Sequence, residues 1–442
     1  MSGLFSVLRV SGDALGAYTS AMGTIQQNLL NATTPGYARQ VPVLVDLGFD
    51  PRNGLAGGVR FWGVQDTRDP SVDQTIRFQT SQAQKFETLS GRMNTVVSYL
   101  DAGDSSDLSS IMRSFFTMAQ GWSASPSDPS QRVAFLNQAR LVATTLSDVS
   151  KGIEQQRDAN NSQIDFTVGK INGLAEQIAG LKDSDALSQA SLSSALEQLS
   201  ELADVTVNRG ADGSITVLLG GQIPLVTGGQ ARTLSVQADT ANGNTKILTS
   251  QGEDVTNRVS DGQLGAYLNL ANQVFPSLIG GKSGVGSLNT LAKTFADKVN
   301  ESLGGANLFT YDSKNPKTAA SSLQVPASWT ADNFNPTDAQ VQQLAALTAS
   351  GAGGASLRGL GFGDFYDRIV TEQSLSASSA QSAADRHGAL LQQAQSLRST
   401  ISGVDTSTEA VDLLQLQQSF QAVTRVMSTV NSLIDSVLDL VK

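Results

Sequence analysis

Cysteine is absent from this chain, and histidine occurs once. Without a thiol there is no disulfide, no Cys-type zinc site and no thiolate nucleophile. A Ser-His-Asp triad or a histidine metal site would have to be built around His387 alone. That residue lies in a polar helical stretch beside Arg386 and reads as a solvated surface side chain. Charge is also scarce: Asp, Glu, Lys and Arg make up 16%, against roughly 25% in an ordinary soluble domain. The charge present is acidic overall, with 30 Lys and Arg against 40 Asp and Glu, a net of −10. Nucleic acid is therefore not an expected partner, because binding it needs concentrated basic residues to displace counterions. No stretch approaches the roughly 18 apolar residues of a membrane span, so no membrane partner is expected either. Met1 to Val10 lacks a basic segment followed by an apolar run, so it does not read as a cleavable signal peptide.

What is there is a chain of 442 residues, 40% hydrophobic, enough for two or three folded domains. Its neutral Ser, Thr, Asn, Gln and Ala side chains suit a surface that packs on copies of itself without desolvating many ions. Leu4, Leu8, Leu15, Tyr18, Met22, Ile25 and Leu29 fall on alternating three- and four-residue steps, with Ser11 the polar member. That is a heptad seam. Gly3, Gly12, Gly16 and Gly23 each weaken such a helix by about 1 kcal/mol relative to Ala. The segment should therefore fold only when neighbouring helices cover it. The pattern stops at Asn31-Ala32-Thr33-Thr34-Pro35-Gly36-Tyr37. Asn31 is expected to end the helix in the left-handed conformation, and Pro35-Gly36 suits the centre of a type II turn.

Val41 to Phe61 reads as loop and strand. Helices are expected over about 72–100, 108–122 and 131–181, with Asp128 or Ser130 capping the third. Period-two segments follow at Val205–Val207, Ile215–Val217, Ile223–Val226, Thr233–Val236 and Lys246–Leu248. Residues 210–213 read as a hairpin loop. Helix returns over 262–274, 287–303 and 364–399, and Ser322–Val325 is expected to be a strand. The C-terminal stretch carries the clearest pattern. Leu413, Leu416, Phe420, Val423, Met427, Val430, Ile434, Val437 and Val441 step 3-4-3-4 without a break, behind a Thr406-x-x-Glu409 capping box. Leu414, Val426, Leu433 and Leu440 add a second apolar stripe, so one partner helix cannot cover both. Heptads at both ends suggest that the ends pair with each other and then with other subunits.

Three patterns that resemble chemical sites fail on inspection. Gly281-Lys282-Ser283 matches the end of a phosphate-binding loop, but Pro276 stands where its first glycine belongs. Gly12-x-x-x-Gly16 has the spacing of a membrane helix pair but contains Asp13. Asp364 and Asp367 read as solvated charges rather than a catalytic pair. No catalytic, metal or cofactor residues are expected, and the chain does not read as an enzyme.

Asn31, Pro35, Gly36, Tyr37 and Arg39, within Asn31 to Gln40, resemble the N-terminal signature of the flagellar axial proteins in its hook-associated version. Gly63-Val64-Gln65-x-x-Arg68-Asp69 with Gln74-x-x-Arg77 is similar to the family's next block. So are Phe115-Phe116 through Arg132, Val168 through Leu181, and Glu409-Ala410 through Phe420 to later ones. Leu192–Leu196 departs from the pattern, since a charged cluster usual in the family is replaced there. The chain is also shorter than many members, which implies a reduced outer domain. The resemblance implies a structural subunit at the junction of hook and filament, in an extracellular flagellum. It would be exported unfolded by the type III route with a chaperone on its C-terminal helix. It would polymerise with itself and contact the hook protein and a second junction protein.

The fold expected is mainly α with a smaller inserted β region, a rod of long antiparallel helices built from both chain ends. Residues 1–50 with 401–442 would form the terminal coiled-coil assembly unit. Residues 51–200 with 263–303 and 357–400 would form the long-helix rod, 201–262 a β domain and 304–356 an irregular insert. Leu4, Leu8, Leu15, Met22, Ile25 and Leu29 with Leu413 to Val441 of the seam would be the assembly interface. A rod or hook protein of the same family remains open, as does a secreted coiled-coil adhesin or effector. Long helices favour the junction protein over the first, and heptads at both ends with the Pro-Gly-Tyr turn disfavour the second.

Overall fold

The computed structural model describes residues 2–50, 55–101, 107–181, 186–210, 214–239, 244–281, 284–347 and 352–439. Val441, Leu440 and most of the expected 210–213 hairpin loop lie outside these residues. Helix α1 (Ser2–Asn31) leads into a long antiparallel hairpin, β1 (Gln40–Asp50) and β2 (Leu55–Asp66), with a bulge between Val43 and Leu44. Asp69 then caps α2 (Pro70–Leu100) by accepting from Ser71 N at 2.8 Å, with Pro70 in the first turn, where its missing N–H costs nothing. The next helices are α3 (Leu108–Ala124) and the 52-residue α4 (Pro129–Gly180). Of the two cap candidates for α4, Asp128 is the one used, accepting from Ser130 N at 2.8 Å. These bonds to the carboxylate pull the Asp128 pKa below the usual range.

Helix α5 (Ala186–Leu202) was not among the expected helices, although Leu192, Leu196, Leu199 and Leu202 are buried on it at three- and four-residue steps. Strands β3 (Val205–Arg209), β4 (Ile215–Leu219), β5 (Ile223–Thr227) and β6 (Gln230–Ala231) form a four-stranded meander. A separate hairpin pairs β7 (Leu234–Asp239) with β8 (Asn244–Thr249). The helix expected over 262–274 continues to Ile279 as α6 (Gly262–Asn269), a π turn at Leu270–Val274, and α7 (Phe275–Ile279). The π turn falls just before Pro276, which has no N–H to offer the helical ladder.

Helix α8 (Ser287–Ser302) is followed by irregular chain and then α9 (Asp338–Ala346). The strand expected at Ser322–Val325 is corrected to one isolated bridge, Thr310 with Gln324. Two long helices close the chain, α10 (Phe362–Ser402) and α11 (Thr406–Asp439).

The main hydrophobic core runs from Met93 in α2 to Ala377 in α10 and takes no residue from α1, β1, β2 or α11. Its centre is aromatic. Phe295 lies 5.1–6.0 Å, centroid to centroid, from Phe115, Phe116, Phe309 and Phe362, mostly edge to face. Trp122 and Phe334 extend the cluster beside Phe135. Each such ring contributes about 1.5–3 kcal/mol by leaving water, with the edge-to-face geometry adding to it.

Asp364 and Asp367 are exposed, as expected, and both bond Arg113 of α3, which links the start of α10 to it. One surface reading needs correction. His387 is half covered rather than solvated. Its ring stacks on Phe86 at 5.6 Å, and Nδ1 lies 2.9 Å from the Gln79 side-chain oxygen, joining α10 to α2. Burial, then the neighbouring Arg386 charge, lowers its pKa.

Candidate assembly interface

Helix α1 packs on α11 along one side and on the β1–β2 hairpin along another. Gly58 of β2 comes so close to α1 that a Cβ there would lie 2.6 Å from Val10 Cγ1. In α1 the fully buried residues are Ser11, Ala14, Ala17, Ala21, Thr24, Ile25 and Asn28. Of the seam residues expected from the sequence, Ile25 is buried. Leu4, Leu8, Leu15, Tyr18, Met22 and Leu29 are half-buried. Small side chains hold the closest line of contact because they let backbones approach; a heptad reading weights large side chains and passes over alanine.

In α11 the expected seam coincides with the covered face. Val430 is buried, and Leu413, Leu416, Phe420, Val423, Met427, Ile434 and Val437 are half-buried. Of the second expected stripe, Leu414, Val426 and Leu433 are each about half exposed, and so are Val411 and Leu438 elsewhere on the helix.

Where α1 turns into the hairpin, the chain is locked to the start of α11. Asn31 does not take the left-handed conformation; its side chain donates to Gln27 O at 3.0 Å and accepts from Thr34 Oγ1 at 3.2 Å. The turn comes one step later. Tyr37 N donates to Thr34 O at 3.1 Å across Pro35-Gly36, and Gly36 has φ +75°, the type II arrangement. Glycine is required there twice over, since a Cβ would also meet Ala190 O of α5 at 2.5 Å.

Behind this turn lies Asn28, with no exposed surface. Its amide donates to Gln40 O (2.8 Å) and Glu409 Oε2 (2.9 Å), and its oxygen accepts from Tyr37 OH and Gln40 N (both 2.9 Å). Every hydrogen-bonding position of that amide is used. Glu409 is also wholly buried, and its other oxygen receives Arg39 Nε. Arg39 Nη2 reaches on to Asp412 at 3.3 Å. Burial, then the charges of Glu409 and Asp66, raises the Tyr37 pKa, which keeps its hydroxyl a donor to Asn28.

The capping box expected at Thr406 and Glu409 is thus overturned. Asp405 is the cap, accepting from Ser407 N at 2.9 Å and Thr408 N at 3.3 Å, and these bonds lower its pKa. Glu409 is drawn inward because Arg39 and Asn28 offer charge-assisted bonds that the exposed helix end cannot match.

The backbone joins the two halves beside this lock. Arg39 N donates to Ser402 O (2.9 Å), Ser402 Oγ donates to Thr67 O (3.0 Å), and Thr67 Oγ1 donates to Arg39 O (2.9 Å). Arg68 braces the same corner, donating to Gly36 O (2.7 Å) and to Ser193 Oγ (2.8 Å) in the middle of α5. Asp73 lies 3.4 Å from Arg68 and 3.8 Å from Arg398. Arg398 also pairs with Glu197.

Two family profiles match the chain. One, described as the flagellar hook-associated protein FlgK helical domain, spans residues 93–306. The other, the flagellar basal body rod FlgEFG protein C-terminal, spans 395–440, the stretch that holds the Glu409 lock and the seam. By these matches the chain resembles the flagellar hook-associated protein 1 family. Flagellar hook-associated protein 1 of Salmonella typhimurium is 25% identical over 317 residues, covering 67% of this chain and 56% of that relative. The chain thus spans little more than half the length of that hook-associated relative. The Bacillus subtilis protein of the same name is 22% identical over an alignment that covers 99% of both chains. Among solved structures, the flagellar hook junction protein FlgK from Burkholderia pseudomallei aligns with a TM-score of 0.46 and 25% identity, over 55% of this chain and 45% of that one. The family's members are structural components of the flagellum, and among the described residues no helix is long and apolar enough to cross a membrane.

Proposed function

We propose that this chain is a structural subunit of the bacterial flagellum at the junction of hook and filament, built into a helical homo-oligomer through α1 and α11. The observation that carries the reading is the state of α11. One face is covered by α1, and Val411, Leu414, Val426, Leu433 and Leu438 outside it are left in water. Large apolar side chains left exposed along a helix of that length mark an interaction surface. Residues 1–50 with 401–442, extended by β2, act as the assembly unit, and the aromatic core carries them as a rod. The work is mechanical rather than catalytic. The hook protein and a second junction protein are the neighbours along the axis. Export proceeds unfolded, with a chaperone shielding α11 beforehand.

The test is genetic and direct. Cells lacking this protein should make hooks but shed filament subunits into the medium, and wild-type protein should restore attached filaments. Attached filaments in its absence would contradict the reading. The rod-type name of the C-terminal profile gives a second reading, a rod subunit; loss of the whole hook in the same cells would favour it.

A further inference from the structure

Trp62 is the most exposed aromatic residue among the described ones, at 74%. It sits on the outward face of β2, with Arg60 and Val64 on the same face, while Val59 and Phe61 turn inward. The other two tryptophans are placed differently: Trp122 is buried in the core and Trp329 packs against it. An exposed tryptophan is costly to solvate and is the residue most enriched in binding hot spots.

Across the chain junction, α2 and α10 leave an apolar groove of about 280 Å³. Val72 and Thr75 form one wall and Leu390, Ala394 and Leu397 the other. Leu390 and Leu397 are 41% and 50% exposed, so the groove lacks a cover. Its volume accommodates one indole, and the Gln393 side chain at its rim offers an acceptor for the indole N–H.

We propose that Trp62 of one copy seats in the α2–α10 groove of the next. In its own chain the hairpin that carries Trp62 packs on α1, while the groove lies between α2 and α10, the two pairs meeting at Thr67 and Ser402. At the usual strand rise Trp62 lies about 13 Å from Asp66 on one side. Thr75 lies roughly 10 Å along α2 on the other. Neighbouring copies are therefore offset by about 20–25 Å along the axis. A contact between two different patches with a fixed offset builds a helix rather than a closed pair. Charge agrees with this register. Arg60 stands about 7 Å from Trp62 towards the hairpin tip. With Trp62 in the groove it falls at the lower lip, where Asp69 caps α2.

The proposal rests on the assembly reading above, and the experiment separates the two. Because the chain has no cysteine, Arg60→Cys and Ser71→Cys can be combined in full-length protein with Trp62 intact, expressed in the source bacterium in place of the wild type. In sheared flagella, oxidation should link neighbouring subunits into a ladder of multimers, and neither single variant should give one. Trp62→Ala should lower incorporation by roughly tenfold or more, the scale of an aromatic hot spot, with an unchanged melting midpoint of the purified monomer. Subunits that incorporate normally as Trp62→Ala, or that incorporate as the double-cysteine variant and do not cross-link, would overturn the contact and leave the assembly reading standing. Wild-type protein absent from flagella would overturn both.

Discussion

Phe295 in α8 touches four aromatic rings and has no exposed surface, whereas Val430, the most covered seam residue of α11, lies between Val426 and Leu433, each 49% exposed. Both residues are apolar and helical, and both are covered. The difference lies in what surrounds them. The rod encloses its core residues with other elements of the same chain, although Leu375, Leu390 and Leu397 on α10 stay exposed. At the chain ends α1 is covered by α11 and the β1–β2 hairpin, whereas α11 is covered by α1. Their attachment to the rod is instead polar and local, through Asn28, Arg39, Glu409, Thr67 and Ser402. Folding of the rod and association of the ends should therefore respond to different substitutions.

The largest effect should come from the rod. Phe295→Ala should destabilise the purified monomer by about 3–5 kcal/mol, seen as a large fall in the denaturation midpoint. Val430→Glu should leave that midpoint nearly unchanged and abolish incorporation into flagella; equal loss of both would make α11 an ordinary core helix. Next comes the lock. Arg39→Ala strands Glu409 as a buried charge, a loss of about 3 kcal/mol, confined to the ends. Hydrogen exchange should speed up in α1 and α11 and stay unchanged in α3 and α8.

Asn28→Ala should act in the same place and more weakly, by about 1–3 kcal/mol, since it leaves buried donors and acceptors unpaired. The smallest effect concerns His387. Its folded pKa lies below the ordinary 6.5, so the folded chain resists the proton more than the unfolded one does. The contribution is full above about pH 6.5 and is lost as the pH falls through the lowered folded value. His387→Gln should flatten the melting profile over that acidic interval without changing incorporation at pH 7.

The long helices and the C-terminal seam could be read from periodicity, because a helix covered on one face repeats its apolar residues every three or four positions. The same rule misjudged α1, where Ala14, Ala17 and Ala21 make the tightest contact. Helix α5 did carry the period, in Leu192, Leu196, Leu199 and Leu202, and went unread. Helix α9 did carry a usable signal, the Thr337 and Gln340 capping box, which the structure forms in both directions. Glu409 is the instructive miss. Local spacing made it a capping residue, but its partners Asn28 and Arg39 lie near the other end of the chain. No local pattern encodes a pairing across that distance. The groove on α2 and α10 was likewise invisible, since its walls come from segments far apart in sequence.

The central claim is that the rod folds without the C-terminal helix and the helix serves association. Deleting Leu413–Lys442 and measuring the thermal midpoint of the purified remainder beside its incorporation into flagella tests this most directly. The account predicts a midpoint close to that of the full chain and no incorporation. A cooperative loss of the rod's melting transition, or a truncated chain that still enters flagella, would contradict it.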